Sequence, residues 1–225
     1  MARQISAQYT VTRSGSIPDR IAARMRRVMF ERFLSATKVT AEESILDVGA
    51  TADQELEASN YLEAWYPHKD KVTACGIDDA RFLEQRYPGM RFVQADGRNL
   101  PFDDGHFDVV HSSAVLEHVG SREQQAKFIS ELVRVARRAV FMTTPNRWYP
   151  VEFHSVLPLV HWLPAPMFRK ILSGIGHQEL SKEEHLNLLS AGDIRAIGKT
   201  LGLDFDVGAV RLLGWPSNLL VTIRK

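Results

Sequence analysis

The chain has 225 residues, of which 44% are hydrophobic and 24% are charged, and its formal net charge is +1. These values are typical of one globular domain with a sizeable core, and the near-neutral balance disfavours a dedicated nucleic-acid binder. Cys75 is the only cysteine, so an intramolecular disulfide and a cysteine-based metal cluster are excluded, and a reducing compartment is favoured.

The N-terminal stretch MARQISAQYTVTRSG lacks the apolar core of a secretory signal. The sequence also contains no run of about 18 apolar residues, which is the length that a membrane span requires. We therefore expect a cytoplasmic protein.

A helix is predicted to begin near Pro18, within an N-terminal helical segment of about residues 1–40. Its apolar residues share one side of the helix and are Ile17, Ile21, Met25, Val28 and Met29. Arginines line the flank of that side at positions 20, 24 and 27. We interpret them as the solvated rim of a packed amphipathic helix, and a surface for a membrane or an acidic partner is the alternative.

From residue 44 onward, short apolar runs that suit strands alternate with longer amphipathic stretches that suit helices. Strands are predicted at residues 44–49, 71–78, 91–96, 107–114 and 139–145. Helices are predicted at residues 54–66, 80–88 and 122–136. Because the apolar runs barely alternate with polar residues, we expect a largely parallel sheet with helices on both faces.

The C-terminal part changes this rhythm. A helix is predicted over about residues 190–203, followed by strands at 205–215 and 218–225 that the turn-forming GWPSN separates. Two consecutive strands without an intervening helix predict an antiparallel hairpin at one edge of the sheet. The predicted fold class is therefore α/β.

Acidic residues recur where successive predicted strands stop. Asp47 lies in the first strand, Asp78 and Asp79 follow the second, and Asp96 follows the third. Ligands of open α/β sheets bind at the carboxyl ends of the strands. A carboxylate after the second strand commonly accepts hydrogen bonds from ribose hydroxyls, in nicotinamide enzymes and in other nucleoside-binding proteins alike.

The loop after the first strand distinguishes between nucleoside ligands. Gly49 is followed by Ala50, Thr51, Ala52 and Asp53, so the later glycines against which a dinucleotide lays its pyrophosphate are absent. A carboxylate repels a phosphate by about 1 kcal/mol at about 4 Å even in bulk water. S-adenosylmethionine has no phosphate and carries a sulfonium and an ammonium, so the acidic loop favours it over NAD.

Three runs carry a resemblance to a known family: ILDVGA, CGIDDA and FVQADGRNLPFDDGHFDVVHSSAVLEHV. Over about residues 44–145 the chain resembles the class I S-adenosylmethionine-dependent methyltransferases of the methyltransferase-11 group. The resemblance implies a Rossmann-like, mostly parallel seven-stranded sheet with helices on both faces and a C-terminal antiparallel hairpin. It also implies that residues 1–225 form a single methyltransferase domain with S-adenosyl-L-methionine as cofactor.

The resemblance further implies roles for residues at the methionine and ribose ends of the cofactor. Asp47, Gly49 and Ala50 would lie at the methionine end. Asp78 would hold the ribose hydroxyls, with Asp79 beside it. Two features depart from the family pattern: residues other than glycine fill most of the first loop, and the stretch between the first two strands is longer than usual.

The remaining implied roles concern the adenine and the methyl group. Asp96 would meet the adenine amino group, and Gly97 would let the backbone pass the ring. His111 and Ser112, at the end of the fourth strand, would lie near the methyl group.

Methyl transfer from a sulfonium depends mainly on alignment of the acceptor, but a hydroxyl acceptor also needs a base, for which histidine is the natural candidate. The candidate catalytic residues are His154, just after the fifth strand, and His111, for each of which a structural role is the alternative. We interpret His118 as structural. No metal site is predicted, since Pro158 interrupts any helical face that His154 could share with His161.

An insertion at about residues 150–190 is rich in proline, tryptophan, phenylalanine and leucine. Such a stretch leaving the carboxyl edge can form a lid or pocket wall, and it favours a small-molecule or lipid-linked acceptor. Packing onto the sheet and peripheral membrane contact are the alternatives. The stretch TTPNRWYPVEFHSVLPLVHWLP also resembles bacterial methyltransferases of cell-surface polysaccharide or lipid-carrier metabolism.

The sequence thus predicts an S-adenosylmethionine-dependent methyltransferase that acts at oxygen on a small or lipid-like acceptor. A non-catalytic domain that binds S-adenosylmethionine or S-adenosylhomocysteine as a partner or sensor is the alternative, because the first loop is degenerate. A nicotinamide oxidoreductase is disfavoured by the same acidic loop. No nucleic-acid partner is expected, and the oligomeric state stays open.

Overall fold

The sheet has seven strands in the order β3-β2-β1-β4-β5-β7-β6, in a computed structural model that describes residues 15–225. The strands are β1 (Ile45–Val48), β2 (Val72–Gly76), β3 (Arg91–Gln94), β4 (Phe107–Ser113), β5 (Ala136–Pro145), β6 (Asp206–Leu212) and β7 (Trp215–Arg224). The first five strands are parallel to one another, and β7 runs antiparallel to both β5 and β6. The predicted fold class and the C-terminal hairpin are confirmed.

The α-helices are α1 (Ile17–Thr37), α2 (Tyr61–Trp65), α3 (Phe82–Arg86), α4 (Arg122–Val135), α5 (Ala165–Gly174) and α6 (Ala191–Leu201). Short 3-10 turns lie at Glu57–Asn60, Lys69–Lys71, Leu116–His118 and Val160–Trp162. The predicted central helices and strands are therefore present, with boundaries that differ by a few residues except in the helix after β1.

Two hydrophobic cores lie on opposite faces of the sheet. Along β1, Ile45 faces one core together with α1, α2 and α3, whereas Leu46 and Val48 face the other together with α4 and α6. Successive side chains of a strand point to opposite faces, so a strand covered by helices on both faces needs an almost unbroken apolar run. This arrangement explains why the central strands show little alternation.

Helix α1 begins and ends as its sequence indicates, but only its C-terminal half is packed. Ser16 caps the start of the helix and Lys38 adopts a left-handed conformation at its end. Phe30 and Phe33 are buried, whereas Ile17 and Ile21 are exposed. The prediction of one continuous packed face is therefore wrong for the first turns, since the residues that fill the core on this side come from the second half of the helix.

The helix predicted at residues 54–66 is much shorter than expected. Residues 50–56 are irregular, and only Tyr61–Trp65 form an α-helix after the turn Glu57–Asn60. The side chain of Asp53 accepts hydrogen bonds from the backbone N–H groups of Glu55 and Leu56. Such local side-chain bonds give the backbone an alternative to helix, which explains the late start.

The C-terminal hairpin turns more tightly than GWPSN indicated. Leu212 pairs with Trp215, so the loop consists of Leu213 and Gly214, which have φ values of 53° and 84°. Positive φ at both positions is typical of the two-residue turn whose twist matches that of the strands. The segment Trp215–Asn218 belongs to β7 rather than to a turn.

The insertion forms a small unit at the carboxyl end of β4 and β5. Its apolar residues pack into their own cluster, made of Phe168, Leu172, Leu180, Leu186 and Leu188. Asn187 joins it to the loop after β4, with its N–H bonded to the carbonyl of Glu117 and its side-chain amide donating to that of Gly120. Among the described residues, no helix is long and apolar enough to cross a membrane.

Candidate active site

The predicted cofactor residues lie at one edge of the sheet. Strands β3, β2, β1 and β4 are adjacent and parallel, so the residues that follow them emerge together. Asp78 follows β2 and is half-buried, and Asp96 follows β3 and is also half-buried. Open α/β sheets bind ligands at this edge, which we call the rim.

The turn after β1 is held against β2. The N–H groups of Gly49 and Ala50 both donate to the carbonyl of Cys75, at 2.7 and 3.0 Å. Gly49 has a φ of 116°, and a Cβ at this position would lie 2.1 Å from a methyl carbon of Val115. Glycine is required here because both the backbone conformation and the close approach of the loop after β4 exclude a side chain.

In the rest of the loop after β1, where the family pattern has glycines, polar side chains form hydrogen bonds that order the backbone. The carboxamide of Asn60 accepts from the N–H of Thr51 at 2.8 Å and donates to the Thr51 carbonyl at 3.0 Å. Asp53 accepts a 2.6 Å hydrogen bond from the Ser59 hydroxyl. The loop is therefore ordered by polar side chains, and Asn60 is a residue that the sequence pattern did not reveal.

Two of the predicted acidic residues carry an arginine partner two positions along the chain. Asp79 and Arg81 pair at 2.6 Å on the exposed side of the rim, and Asp96 and Arg98 pair at the same distance in a more enclosed position. The Arg98 guanidinium keeps the pKa of Asp96 below its ordinary value. Asp96 is thus fixed in orientation as an ionised acceptor.

Gly97 and Ser112 make packing contacts on the α4 side of the sheet. A Cβ on Gly97 would lie 2.4 Å from the Phe128 ring and 2.9 Å from a methyl of Val48. The Ser112 hydroxyl donates to the Val48 carbonyl at 2.7 Å and is buried. Both residues therefore pack against Val48 near the end of β1. Their contact with a cofactor stays a prediction.

Asp47 and His111 form a buried pair on the opposite face. They lie side by side in the register of β1 and β4, and His111 Nδ1 donates to Asp47 Oδ1 at 2.5 Å. The Tyr61 hydroxyl donates to His111 Nε2 at 2.9 Å. Phe33 and Phe141 enclose the imidazole, and burial lowers the pKa of His111 to about 4. His111 is therefore a neutral imidazole whose two nitrogens are both hydrogen-bonded, and its bond to Asp47 positions that carboxyl group.

A second buried carboxyl group lies beside this pair. Glu63 on α2 is fully buried, and its carboxyl group interacts with that of Asp47. Burial and the neighbouring Asp47 charge raise the pKa of Glu63 well above its ordinary value, and burial raises that of Asp47 to about 6. Two buried carboxyl groups at one strand end fit a ligand with a positive charge, because an uncompensated buried anion is costly.

His154 lies in a separate cluster formed by the insertion and the loop after β4. Its Nδ1 contacts Glu152 at 2.6 Å, and its Nε2 lies 3.0 Å from Nε2 of His118. Burial lowers the pKa of His154, but the Glu152 carboxylate outweighs that effect and the net pKa is raised. Burial and the charge of His154 lower the pKa of His118 to about 3.

The two predicted catalytic histidines are not neighbours. His111 contacts residues of α1, α2 and β5, whereas His154 contacts the turn Leu116–His118. Tyr61 and Glu63 were missed as polar site residues because a short helix carries no pattern that separates a buried carboxyl from a solvated one. His118 was identified only as structural, and its contact with His154 depends on the path of the insertion.

The chain is similar to known proteins over its central part. The Methyltransf_11 family model, described as a methyltransferase domain, matches residues 46–142. Norajmaline N-methyltransferase of Rauvolfia serpentina is 43% identical over 63 residues, which are 28% of this chain and 20% of the relative. The ubiquinone/menaquinone biosynthesis C-methyltransferase UbiE of Azotobacter vinelandii is 27% identical over 124 residues, 51% of this chain and 47% of that protein.

A solved structure extends the likeness to most of the chain. The fold is similar to that of magnesium protoporphyrin IX methyltransferase from Synechocystis PCC 6803, which was solved with bound SAH. The TM-score is 0.58 at 15% identity, over 92% of this chain and 85% of that one. The chain spans less than two thirds of the length of the two curated relatives above.

Proposed function

We propose that this chain transfers the methyl group of S-adenosylmethionine to a small or lipid-like acceptor, because residues 46–142 match the methyltransferase-domain family. One observation carries the proposal: Asp47, Asp78 and Asp96 lie at the carboxyl ends of three adjacent parallel strands. Carboxylates at this edge suit a nucleoside that carries positive charge and no phosphate.

The parts of the rim correspond to the parts of the cofactor. Asp47, supported by His111, and the nearby Glu63 would face the cationic methionine end, since these carboxyl groups are buried. Asp78 would accept hydrogen bonds from the ribose hydroxyls, and Asp96, held by Arg98, would accept one from the adenine amino group. When bound, the cofactor supplies an electrophilic methyl group, and the chain aligns the acceptor with it.

The acceptor is inferred from the surface of the insertion. Large apolar side chains are exposed there, at Trp148 just before it and at Val156, Leu159, Met167, Ile171 and Ile175 within it. An exposed set of this kind marks a surface for an apolar ligand or a membrane. It supports an acceptor that is itself apolar or is attached to a lipid, and it supports peripheral membrane contact as the way such an acceptor is reached.

We infer transfer to oxygen with His154 as the base, because an imidazole paired with a carboxylate is the usual acceptor of a hydroxyl proton. His154→Ala is expected to lower turnover by about 100-fold or more while leaving cofactor affinity unchanged. The measurement is methyl transfer from labelled cofactor alongside calorimetric titration with S-adenosylhomocysteine. His177→Ala, at an exposed histidine of the same insertion, is the matched control. Normal turnover in His154→Ala would assign His154 a structural role.

Two experiments test the proposed function. Calorimetry with S-adenosylmethionine, S-adenosylhomocysteine and NAD should show binding of the first two ligands, and binding of NAD alone would overturn the proposal. A screen of cell extract for metabolites that gain a labelled methyl group should then identify the acceptor and the atom methylated. Cofactor binding without any methylated product would favour a non-catalytic partner or sensor.

A further inference from the structure

Three potential metal ligands from two distant parts of the chain converge beside the insertion. One atom each of Glu117, His118 and His154 lies within 4.8 Å of the other two. Glu117 and His118 come from the 3-10 turn after β4, and His154 comes from the insertion after β5. The cluster does not include Asp47, Asp78 or Asp96.

The imidazoles of His118 and His154 face each other with their Nε2 atoms. His118 Nδ1 lies 2.6 Å from the carbonyl oxygen of His185, so this nitrogen is the donor and carries the proton. His154 Nδ1 lies 2.6 Å from the Glu152 carboxylate and is a donor for the same reason. In their neutral forms both rings therefore present an unprotonated Nε2, and these two nitrogens are 3.0 Å apart. Two facing lone pairs need either a proton or a cation between them.

The third atom is a carboxylate oxygen without a partner. Glu117 is fully buried, and its Oε1 has no hydrogen-bond partner among the described residues. This oxygen is 3.9 Å from His118 Nε2. The other oxygen accepts a 2.8 Å hydrogen bond from the Thr144 hydroxyl, which fixes the plane of the carboxylate. A buried unpaired carboxylate oxygen aimed at two imidazole nitrogens fits a bound cation.

We propose that Glu117, His118 and His154 bind a divalent transition-metal ion, with Zn²⁺ as the ion that best fits the site. Ligand atoms at about 2.0–2.2 Å from one zinc ion are separated by about 3.4 Å in a tetrahedral site. The separations of 3.0 and 3.9 Å fall on either side of that value. Two imidazoles and one carboxylate form a set that zinc enzymes use, and it leaves a fourth position open.

The surroundings of the cluster also match those of a metal site. Ligating histidines almost always donate their other N–H to a carboxylate or a backbone carbonyl, which fixes the tautomer and the ring orientation. Here His154 donates to the Glu152 carboxylate, and His118 donates to the His185 carbonyl. Glu152 in turn accepts hydrogen bonds from the N–H and the hydroxyl of Ser155. Both histidine side chains are 8% exposed, so the cluster lies just beneath the surface.

This inference goes beyond the proposed function and does not depend on it, since metal binding is measured without cofactor or acceptor. It does constrain the role of His154. A nitrogen that binds a metal ion cannot accept a proton, so the two roles of His154 are alternatives. Stoichiometric zinc binding would make His154 a metal ligand and overturn its assignment as the base, and the assignment as the base holds only if zinc does not bind.

The test is titration of the metal-free protein with ZnCl₂ in a calorimeter, together with metal analysis of the dialysed protein. We expect one zinc ion per chain, with a dissociation constant of about 1 µM or tighter. His118→Ala, His154→Ala and Glu117→Gln should each abolish this stoichiometric binding. Glu152→Gln, which removes a positioning residue, should weaken it by about 10- to 100-fold. His177→Ala should leave it unchanged.

A measurement on the unaltered protein covers the case in which the variants fail to fold. X-ray absorption of the zinc-loaded chain should show two imidazoles and at least one oxygen ligand at about 2.0–2.2 Å. Absence of stoichiometric binding, retention of binding in folded His118→Ala, or a spectrum with fewer than two imidazoles would overturn the proposal. In that case a shared proton joins the two Nε2 atoms.

Discussion

Asp78 is the residue that most directly tests the assignment of the rim. Removing a carboxylate that accepts hydrogen bonds from two ribose hydroxyls costs roughly 1–3 kcal/mol. Asp78→Ala is therefore expected to weaken S-adenosylmethionine binding by about 5- to 150-fold in calorimetry. Asp206→Ala, which removes an exposed carboxylate on β6 at the far edge of the sheet, should have little effect. Equal affinities for Asp78→Ala and the unaltered chain would reject the role of Asp78.

Gly97 gives a prediction about stability. An added Cβ would lie 2.4 Å from Phe128 and 2.9 Å from Val48, which are both buried in the core. Overpacking of this kind costs about 1–3 kcal/mol, so Gly97→Ala should lower the free energy of unfolding in urea by that amount. Gly174→Ala is the control, since a Cβ there meets no atom within 4 Å. An unchanged midpoint for Gly97→Ala would show that α4 can shift away from the sheet.

Single residues also show where the sequence was informative. Asp47, Asp78 and Asp96 could be predicted as rim residues because each lies near or just after the end of a predicted strand, and parallel strands end at one edge. Asn60 and Glu63 could not be predicted. Each is one polar residue in a short segment, and only the packing of α2 against the loop after β1 gives it a role.

At the level of elements, Arg138 on β5 joins the end of α1 to the start of β1. Its guanidinium donates to both oxygens of Glu43, at 2.6 and 2.8 Å, and to the Thr37 carbonyl at 2.5 Å. Thr40 N–H donates to Glu43 as well, at 2.7 Å. One carboxylate therefore holds together the connection between the N-terminal helix and the sheet.

This contact predicts how stability depends on pH. The hydrogen bond from Arg138 lowers the pKa of Glu43 below its ordinary value of 4.5. The contribution of Glu43 is therefore fully present above about pH 4.5 and is lost as the pH falls through the lower pKa of the folded state. Glu43→Gln should reduce stability at neutral pH and make its loss in acid less steep, as measured by urea unfolding between about pH 3 and 7.

The control for this prediction is Glu42→Gln, which alters an exposed carboxylate next to Glu43. It should leave both the stability at neutral pH and the acid slope close to those of the unaltered chain. Parallel curves for Glu43→Gln and the unaltered chain would show that Arg138 keeps the connection in place without this carboxylate.

The helix after β1 shows why element boundaries were less predictable than element order. Apolar periodicity indicated a helix from residue 54, but Asp53 bonds the backbone of the next residues and delays it to Tyr61. The hairpin turn was placed too late for a similar reason. Leu213 adopts a positive φ, which a leucine rarely does and which the surrounding strands impose.

For the whole molecule, the proposal to test is that the insertion contacts the acceptor or the membrane that carries it. If its exposed apolar side chains contact a membrane, replacing two of them by serine should weaken binding to phospholipid vesicles. A loss of about 1.4 kcal/mol of apolar burial corresponds to a tenfold change. Ile171→Ser with Ile175→Ser should therefore reduce vesicle co-sedimentation about tenfold or more.

Ile77→Ser is the control for the vesicle experiment, because Ile77 is an exposed isoleucine outside both the insertion and α1. It should leave co-sedimentation unchanged. If the unaltered chain does not bind vesicles at all, the exposed side chains serve a soluble apolar acceptor instead.

The sequence by itself determined the order of strands and helices, the two-sided burial of the sheet and the row of acidic residues at its carboxyl edge. These features follow from local patterns, because apolar runs and strand ends are properties of neighbouring residues. Only the tertiary structure decided that His111 is enclosed beside Asp47 and that His154 meets His118 and Glu117. These contacts join residues far apart in the chain, and the packing of the insertion onto the strand ends brings them together.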